Sequence, residues 1–251
     1  MHRSFCPHSD LEQEIISLTD RKEIHHLQDV LRLKPREQIR LFNGQDKQIV
    51  GTIMTMNANK VEVRRDYVLP QTQERGIDVV LACAIPKRAK FEFIIEKCTE
   101  LGVDEIIPLK TQRTERTLNT ERMGEKIDRY RTVAVNAAKQ SGRINVPRIL
   151  PMATTPEIFQ HADPQGLRFI ASLAGQRQNL LEVFQKKNLK NFKKIIFFIG
   201  PEGDFTPDEI SHALESGCIP ISLGSNVLKV DTAALCVVSF ANLFLNDALK
   251  R

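Results

Sequence analysis

Two continuous apolar runs in the second part of the chain constrain its fold more than any other feature. The first is Val79–Ile85, with the sequence VVLACAI, and the second is Ile195–Ile199, with the sequence IIFFI. A strand with one wet face alternates between apolar and polar residues, whereas a strand buried on both faces is continuously apolar. The two runs therefore predict a mostly parallel sheet inside an α/β domain.

The segments around these runs alternate between helix-like and strand-like patterns. Helices are predicted where apolar residues recur every three or four positions, at 91–102, 121–142, 179–187 and 231–249. Strands are predicted at 77–85, 104–109, 167–174, 194–200 and 219–223. Alternation of this kind is typical of an α/β fold with one parallel sheet.

The amino-terminal part of the chain has a different pattern. Two strands are predicted on either side of the Asn43-Gly44 pair, which is a strong hairpin signal, and a third at Val61–Leu69. A short amphipathic helix is predicted over Glu23–Leu33, and Pro35 would end it. These elements predict a small β-barrel with one helix.

The polar, aperiodic stretch from Pro70 to Gly76 is predicted to be the linker between the two parts. We therefore expect a β-barrel domain over residues 1–72 and an α/β domain over residues 73–251. A chain of 251 residues is long enough for two domains, each with its own core.

The composition argues against several classes of protein. No run of about 18 apolar residues is present and the first residues lack a secretory signal, so we expect a cytoplasmic protein without a membrane span. The five cysteines form no CxxC pair, and Cys83, Cys218 and Cys236 stand in apolar surroundings. We therefore expect buried thiols in a reducing compartment and no metal site.

The net charge of +5 is concentrated in one segment. Residues 85–150 carry 14 basic and 9 acidic side chains, whereas the segments before and after them are balanced. A local basic surface suits a polyanion such as nucleic acid. The alternative is a set of solvated helix faces, and the charge pattern leaves both interpretations open.

The loop after the second apolar run, Gly200–Asp204, has the sequence GPEGD. A capping box formed by Thr206 and Glu209, with Pro207 at the first helical position, is predicted to satisfy the next helix. A satisfied helix start with two acids beside it does not suit a phosphate, and neither GxGxxG nor a P-loop is present. A ligand with hydroxyls, an amine or a positive centre fits better, and S-adenosylmethionine has all three. The alternative is a tight turn with solvated acids.

A second loop follows the predicted strand at Ile219–Leu223 and begins with Gly224. Ligands of open α/β sheets bind outside the carboxyl ends of the strands, where both glycine loops are predicted to lie. Val227 and Leu228 are apolar in a loop that would normally face water, so they are candidates for the wall of an adenine pocket. Core packing of this loop is an equally open alternative.

Several motifs together resemble those of the SPOUT methyltransferases, and more specifically those of the RsmE group. In the two loops the motifs are Gly200–Gly203, Leu223–Gly224, Leu228 and Thr232–Ala233. Elsewhere they are Lys97–Val103, Gln140–Arg143 with Pro147, and His25–Leu27 with Val30–Arg32. The resemblance spans essentially the whole chain.

The resemblance implies an α/β domain with a trefoil knot, preceded by a PUA-like RNA-binding β-barrel, in a protein that forms homodimers. It implies S-adenosyl-L-methionine as the methyl donor and N3 of a uridine in small-subunit (16S) ribosomal RNA as the acceptor. The positions that it implies for donor binding are Leu173, Gly200, Pro201, Glu202, Gly203, Leu223, Gly224, Val227, Leu228, Thr232 and Ala233.

The chain departs from the usual RsmE pattern at five positions. Asn226 and Lys229 stand where arginines are usual, Asp231 and Lys139 where glutamates are usual, and Asp204 where a glycine is usual. Two other functions therefore stay open: a methyltransferase of the same fold acting on another RNA, and a non-catalytic RNA-binding assembly factor. A nucleotide-binding α/β enzyme of another type would need a phosphate motif, which the sequence lacks.

The reaction that the resemblance implies needs a base and a group that stabilises an anion, because N3 of uridine becomes nucleophilic only when its proton leaves. Arg143 is the candidate for stabilising the anion, and its alternative role is capping helix carbonyls. Asp231 is the candidate base or orienting group, and its alternative role is the acidic charge at the start of the last helix.

Basic residues of the middle segment and of the predicted barrel are expected to contact RNA phosphates, which positions the RNA without selecting the base. The predicted contacts are Arg32, Arg40, Lys87, Arg88, Lys90, Arg113, Arg116, Lys139, Arg143 and Lys229. For each lysine the alternative is a solvated surface charge.

Overall fold

The computed structural model describes residues 1–7, 11–70, 76–86, 91–114, 123–160 and 165–248. The chain divides into two compact units. The first consists of Met1–Glu74 together with Val135–Val146, and the second of Arg75–Ala134 together with Pro147–Arg251. The predicted boundary between residues 72 and 73 lies outside the described residues.

The first unit contains a five-stranded sheet in the order β1-β3-β4-β5-β2, in which β1 pairs with β3 in parallel and the other neighbours are antiparallel. Its elements are β1 (Arg3–Phe5), β2 (Ile15–Leu18), α1 (Arg21–His25), a π-helical turn (His26–Val30), β3 (Gln38–Phe42), β4 (Gln48–Asn57) and β5 (Lys60–Val68). The predicted helix and three predicted strands are confirmed, within a few residues at their ends. The strands β1 and β2 were not predicted, because three or four residues are too short to carry a period-two pattern.

The hairpin predicted at Asn43-Gly44 is confirmed, although its loop is longer than a two-residue turn. β3 and β4 pair from Gln38 opposite Thr52 to Phe42 opposite Gln48, which leaves residues 43–47 as the loop. The Asn43 side-chain oxygen accepts the backbone N–H groups of residues 45, 46 and 47 and so holds the loop together. Gly44 has φ +82°, a conformation that favours glycine.

The core of the first unit follows the alternation along its strands. Ile39 and Leu41 on β3 and Val61 and Val63 on β5 are completely buried, and they pack with Leu27 from the π-helical turn. Each completely buried aliphatic side chain stabilises the fold by about 1.5–3 kcal/mol relative to an exposed one.

The second unit contains an eight-stranded sheet in the order β11-β13-β10-β12-β6-β7-β8, with β9 beside β7. Every pairing in it is parallel. Its strands are β6 (Asp78–Ala84), β7 (Glu105–Lys110), β8 (Arg148–Ile149), β9 (Ala153–Thr154), β10 (Gly166–Ala171), β11 (Gln178–Asn179), β12 (Lys194–Ile199) and β13 (Ile219–Ser222). The predicted parallel sheet is confirmed, whereas the two-residue strands were not predicted.

Helices connect these strands. They are α2 (Phe91–Glu100), α3 (Met123–Ser141), α4 (Thr155–Gln160), α5 (Leu180–Lys186), a 3-10 turn (Leu189–Asn191), α6 (Pro207–Glu215) and α7 (Val230–Ala248). The four helices predicted from apolar spacing are confirmed, and α4 was missed because a helix of six residues shows less than two turns of its period. The carboxyl-terminal part of α3, from Val135 onward, groups with the first unit, which the sequence did not indicate.

Aromatic packing explains why β12 is apolar on both faces. The Phe197 ring stacks on that of Phe169, with centroids 5.4 Å apart, and both stack on Phe184 from α5. The Phe198 ring packs on Phe159 from α4, with centroids 5.0 Å apart. Successive residues of a strand point to opposite faces, so these neighbours place helices on both sides of the sheet.

The helix α7 bears on the expectation that the chain has no membrane span. Its window Val230–Asp247 is long and apolar enough to cross a membrane by length and composition. The core helix of a globular domain has the same composition, and Val237 and Val238 of α7 are completely buried against the rest of the unit.

Candidate functional site

Three neighbouring strands of the second unit end side by side. In the register of the sheet, Ala171 at the end of β10 lies opposite Ile199 of β12 and Ile221 of β13. The loops that follow these strands enclose a cavity of about 240 Å³. The cavity therefore lies at the carboxyl edge of the parallel sheet, where open α/β sheets bind their ligands.

The structure brings together nine of the eleven positions predicted for donor binding. The residues that line the cavity among them are Leu173, Gly200, Pro201, Glu202, Leu223, Gly224, Val227, Leu228 and Ala233. Gly203 and Thr232 do not line it. Gly203 is exposed beside the Arg113 side chain, and Thr232 lies exposed in the first turn of α7. The two predicted glycine corners, Gly200 and Gly224, face the same space.

Gly200 is required by close packing within its own loop. A Cβ atom there would lie 3.0 and 3.1 Å from two carbons of the Phe205 ring, which is almost completely buried. The predicted capping box follows at once, because Thr206 Oγ1 accepts the Glu209 N–H and Glu209 accepts the Thr206 N–H. The buried Glu209 carboxylate also accepts from Gln112 N and Thr155 Oγ1, each at 2.9 Å, and so joins three segments.

Arg113 fastens the same loop from the side of β7. Its guanidinium donates to the carbonyl oxygens of Gly203 and Phe205, the latter at 3.3 Å. Arg113 was predicted to contact RNA phosphate, and the contacts in the structure give it a structural task as well. A role in RNA binding for this exposed residue stays a prediction.

The loop after β13 has the composition of a binding wall. Gly224 has φ +125°, and no atom lies within 4 Å of the position that its Cβ would take. Val227 is 75% exposed and, with Leu228, borders the cavity. Lys229, which was predicted to contact RNA, also lines the cavity, as does Asn226. With Asp204, three of the five departures from the RsmE pattern therefore line the cavity.

Two carboxylates act electrostatically on the same buried thiol. Burial is the main cause that raises the pKa of Cys83 far above its usual value, and the charges of Asp231 and Glu202 raise it further. The two carboxylates therefore lie within electrostatic range of the end of β6. The Asp231 side chain accepts the Thr232 N–H at 2.8 Å in the first turn of α7, as its alternative structural role required.

Arg143, the other catalytic candidate, belongs to the first unit. It follows Gly142, whose φ of +82° ends α3, and its side chain is half-buried. The helix end is capped by a residue that the sequence did not indicate: Arg3 donates to the carbonyl oxygens of Ala138 and Arg143, each at 2.8 Å. Arg3 therefore binds one carbonyl of the last turns of α3, that of Ala138, and the carbonyl of Arg143 itself.

The remaining candidates for RNA contact differ in their surroundings. Lys139 forms an ion pair with Glu23 at 2.8 Å, and both side chains are largely buried, which argues against a free phosphate contact. Arg32 is exposed with φ +54°, and Arg40 is half-buried. The other four predicted contacts lie outside the described residues; they are Lys87, Arg88, Lys90 and Arg116.

The cysteines do not provide a nucleophile at the cavity. Burial raises the pKa of Cys6 to about 12 and also raises those of Cys98 and Cys218. Cys236 corrects the sequence prediction that this thiol is buried, because it lies exposed on α7. Among the described residues, no group of three or more His, Cys, Asp or Glu side chains could hold a metal ion.

A two-unit chain with a parallel sheet and a loop-lined cavity at its carboxyl edge matches known families. The family model of an RNA methyltransferase domain matches residues 73–242, and that of an RNA methyltransferase PUA domain matches residues 18–64. The first match covers more than half of the chain, so the chain belongs to the RNA methyltransferase family. The cavity therefore lies within the domain that carries the methyltransferase activity in this family.

The similarity extends to particular relatives, and it confirms the resemblance to the RsmE group. The ribosomal RNA small subunit methyltransferase E of Rickettsia conorii is 30% identical over 92% of this chain and 91% of its own length. The protein of the same name from Bacillus subtilis is 26% identical over 87% and 86%.

Solved structures are similar over nearly the whole chain. The ribosomal RNA small subunit methyltransferase E of Neisseria gonorrhoeae, bound to S-adenosyl methionine, has a TM-score of 0.85 at 25% identity and covers 97% of both chains. A Legionella pneumophila protein in complex with the same cofactor has a TM-score of 0.84 at 28% identity, over 98% of this chain and 97% of its own.

Proposed function

We propose that this protein transfers a methyl group from S-adenosyl-L-methionine to N3 of a uridine in small-subunit ribosomal RNA. The observation that carries the proposal is the cavity at the ends of β10, β12 and β13, which is lined by nine of the positions predicted for donor binding, eight from three separate loops and Ala233 from α7. The names of the relatives support small-subunit ribosomal RNA as the substrate. The S-adenosylmethionine bound to two similar solved structures supports this molecule as the methyl donor.

The residues around the cavity suit this donor. S-adenosylmethionine, when bound, supplies a methyl group on a positively charged sulfur together with an adenosine. Val227, Leu228 and Leu173 provide apolar surface for the base, and the loop backbones provide polar groups for its edge. Glu202 and Asp204 add negative charge, which suits a cation with an α-amine and hydroxyls and would repel a phosphate.

The proposed chemistry assigns roles to two residues. Asp231 accepts the N3 proton or orients the group that does, and it lies beside the cavity wall in the first turn of α7. Arg143 stabilises the negative charge that spreads onto the uridine carbonyl oxygens once the proton has left. Because the donor is already activated, the main task of the remaining residues is to hold the two reactants in line.

RNA binding by the first unit is part of the same proposal, and Arg40 is its strongest candidate. Arg40 lies directly opposite Arg3 in the β1-β3 pair, and the buried Nε atoms of both have no hydrogen-bond partner. Burial lowers the pKa of Arg3, and the charge of Arg40 lowers it further, so the two cations repel each other. A phosphate beside the accessible part of the Arg40 guanidinium would offset this repulsion.

Three further features belong to the proposal: a trefoil knot in the second unit, a homodimer, and action in the cytoplasm on the small ribosomal subunit. The homodimer is supported by the outer face of α7, where Leu243 is 70% exposed and Cys236 is also exposed. An apolar face of this kind is commonly covered by a partner.

The donor part of the proposal is tested by calorimetry of S-adenosylhomocysteine binding to the purified protein. We expect one site per chain, and the absence of binding would contradict the proposal.

The acceptor part is tested by mass mapping of small-subunit RNA from a deletion strain, before and after complementation. We expect a uridine N3 methyl that is lost and then restored. Donor binding without any lost methyl group would favour the assembly factor, and a methyl lost from another RNA would favour the second methyltransferase alternative.

A further inference from the structure

One side chain, Asp204, joins the loop after β12 to the loop after β10. Its Oδ2 accepts a hydrogen bond from the backbone N–H of Leu173 at 2.8 Å, and its Oδ1 accepts from the N–H of Phe205 at 2.8 Å. Asp204 and Leu173 both line the cavity. The carboxylate therefore bridges two walls of the candidate donor site that are 31 residues apart in the chain.

The backbone of Asp204 explains which residues this position accepts. Its φ is +63°, in the left-handed region, and its N–H donates to the Pro201 carbonyl at 2.9 Å to close the turn. Glycine adopts this conformation freely, and Asp and Asn tolerate it better than other side chains. A glycine here would give the same turn, so the aspartate adds its two hydrogen bonds to a backbone that does not require them.

Leu173 depends on this contact more than its neighbours do. Its side chain is 50% exposed and so has little packing to hold it, and the bond to Asp204 is the hydrogen bond that the structure gives to its N–H. The loop of Asp204 is itself fixed on the other side by Arg113, through the carbonyls of Gly203 and Phe205. Asp204 thereby connects Leu173 to a loop that is already anchored.

We infer that Asp204 is a positioning residue of the donor site, which holds Leu173 in place before the donor arrives. The inference rests on the proposed function, because it requires S-adenosylmethionine in this cavity. Because the hydrogen bond from Asp204 already orders Leu173 in the folded protein, donor binding does not carry the entropic cost of ordering it. Asp204 therefore raises donor affinity. Because Asp204 acts through hydrogen bonds to the backbone of the donor wall, we expect the rate of transfer at saturating donor to be unchanged.

Two substitutions separate the carboxylate from the backbone conformation. Asp204→Gly keeps the left-handed turn and removes both hydrogen bonds, whereas Asp204→Asn keeps the turn and one acceptor oxygen. Asp208→Asn is the matched control, because it removes an exposed acidic charge from the first turn of α6.

Calorimetry with S-adenosylhomocysteine is expected to show about tenfold weaker binding for Asp204→Gly, the scale of one hydrogen bond to a charged group. For Asp204→Asn we expect about threefold weaker binding, and for Asp208→Asn a change of less than about twofold. The KM for S-adenosylmethionine should rise by the same factors, while kcat at saturating donor stays within about twofold. Hydrogen exchange at the Leu173 amide should be about tenfold faster in Asp204→Gly, with core amides of β12 unchanged.

The outcomes distinguish this inference from the proposed function. If the wild-type protein does not bind S-adenosylhomocysteine, the proposed function itself fails. If the wild type binds and Asp204→Gly binds equally well, the proposed function stands and the positioning role of Asp204 is wrong. A fall in kcat without a rise in KM, weaker donor binding with unchanged exchange at the Leu173 amide, or faster exchange throughout β12 would also overturn the inference, because each result means a role other than positioning the donor wall.

Discussion

The two edges of the parallel sheet use their polar residues in opposite ways. At the amino edge, the first residues of the strands neutralise one another: Glu105 of β7 accepts from Lys194 of β12 at 2.9 Å and from Arg148 of β8. At the carboxyl edge, the acids Glu202 and Asp204 line a cavity, and the Asp204 carboxylate accepts the backbone N–H groups of Leu173 and Phe205.

The difference between the edges separates stability from binding within one sheet. The buried Glu105 carboxylate is stabilised by its cationic neighbours Lys194 and Arg148, so the amino edge serves the fold. At the carboxyl edge, Glu202 and Asp204 border the cavity in which we propose that the donor binds, together with the cationic residues Arg177 and Lys229. A substitution at one edge should therefore change folding or binding, with little effect on the other property.

The largest effect is expected at the amino edge. Glu105→Ala leaves Lys194 and Arg148 without their shared acceptor and should lower the free energy of unfolding by about 3 kcal/mol, the low end for a broken buried pair because both partners are partly exposed. Urea unfolding measures the change, with Glu96→Ala, in an exposed pair with Lys97, as the control. A loss of S-adenosylhomocysteine affinity in folded Glu105→Ala would contradict the separation of the two edges.

The next effect is expected at the carboxyl edge. Gly224→Val places a β-branched residue at φ +125° and should displace the loop, weakening S-adenosylhomocysteine binding by about thirtyfold, or about 2 kcal/mol. The matched control is Gly217→Val, which precedes β13 at the amino edge and has φ +86° and equally open space. Calorimetry on both variants compares the edges directly, and equal losses of affinity would mean that strain anywhere in this region disturbs the site.

A substitution at the carboxyl edge is expected to have a smaller effect on stability. Thr206→Ala removes the cap of α6 and should lower the free energy of unfolding by about 1 kcal/mol. Thr206→Ser should restore most of it, because serine keeps the accepting oxygen. Thermal unfolding measures both variants, and donor affinity should stay within about twofold, since Thr206 does not line the cavity. A cap variant that binds the donor much more weakly would show that α6 and the cavity are coupled.

The smallest effect concerns the first unit. Arg40→Gln should weaken RNA binding by about three- to fivefold at low salt and reduce the salt dependence by about one phosphate contact, with donor affinity unchanged. Arg21→Gln, on the exposed surface of α1, is the control. Filter binding at several salt concentrations measures both variants, and an unchanged salt dependence for Arg40→Gln would remove Arg40 from the RNA surface.

Most of the regular elements could be predicted because their signals are local. The apolar runs of β6 and β12, the capping box at Thr206 and the hairpin at Asn43-Gly44 each depend on a few neighbouring residues, and each is present as predicted. The exposure of Cys236 was mispredicted because it depends on tertiary packing, which local signals do not report. Apolar neighbours in sequence did not reveal which face of α7 packs against the sheet.

The candidate site could be predicted in part, and chiefly through the resemblance to a family. The residue pattern alone indicated that Gly200 and Gly224 would share an edge, because both follow strands of a parallel sheet. It did not indicate Arg113 or Asp204 as the residues that hold the loops, since each bonds across 31 or more residues of sequence. The available signal for Asp204 was the glycine that is usual at this position in the RsmE group, because it indicates the left-handed backbone that the structure contains.

The sequence by itself determined the two kinds of domain, the parallel sheet and the ends of several helices, because periodicity and caps act over a few residues. Only the tertiary structure decided that β10 lies between β12 and β13, and so that three loops far apart in the chain surround one cavity. It also placed Val135–Val146 with the first unit and brought Lys139 and Glu23 together as an ion pair. The physical reason is that strand order and long-range ion pairs depend on the packing of the whole chain, and no short segment contains that information.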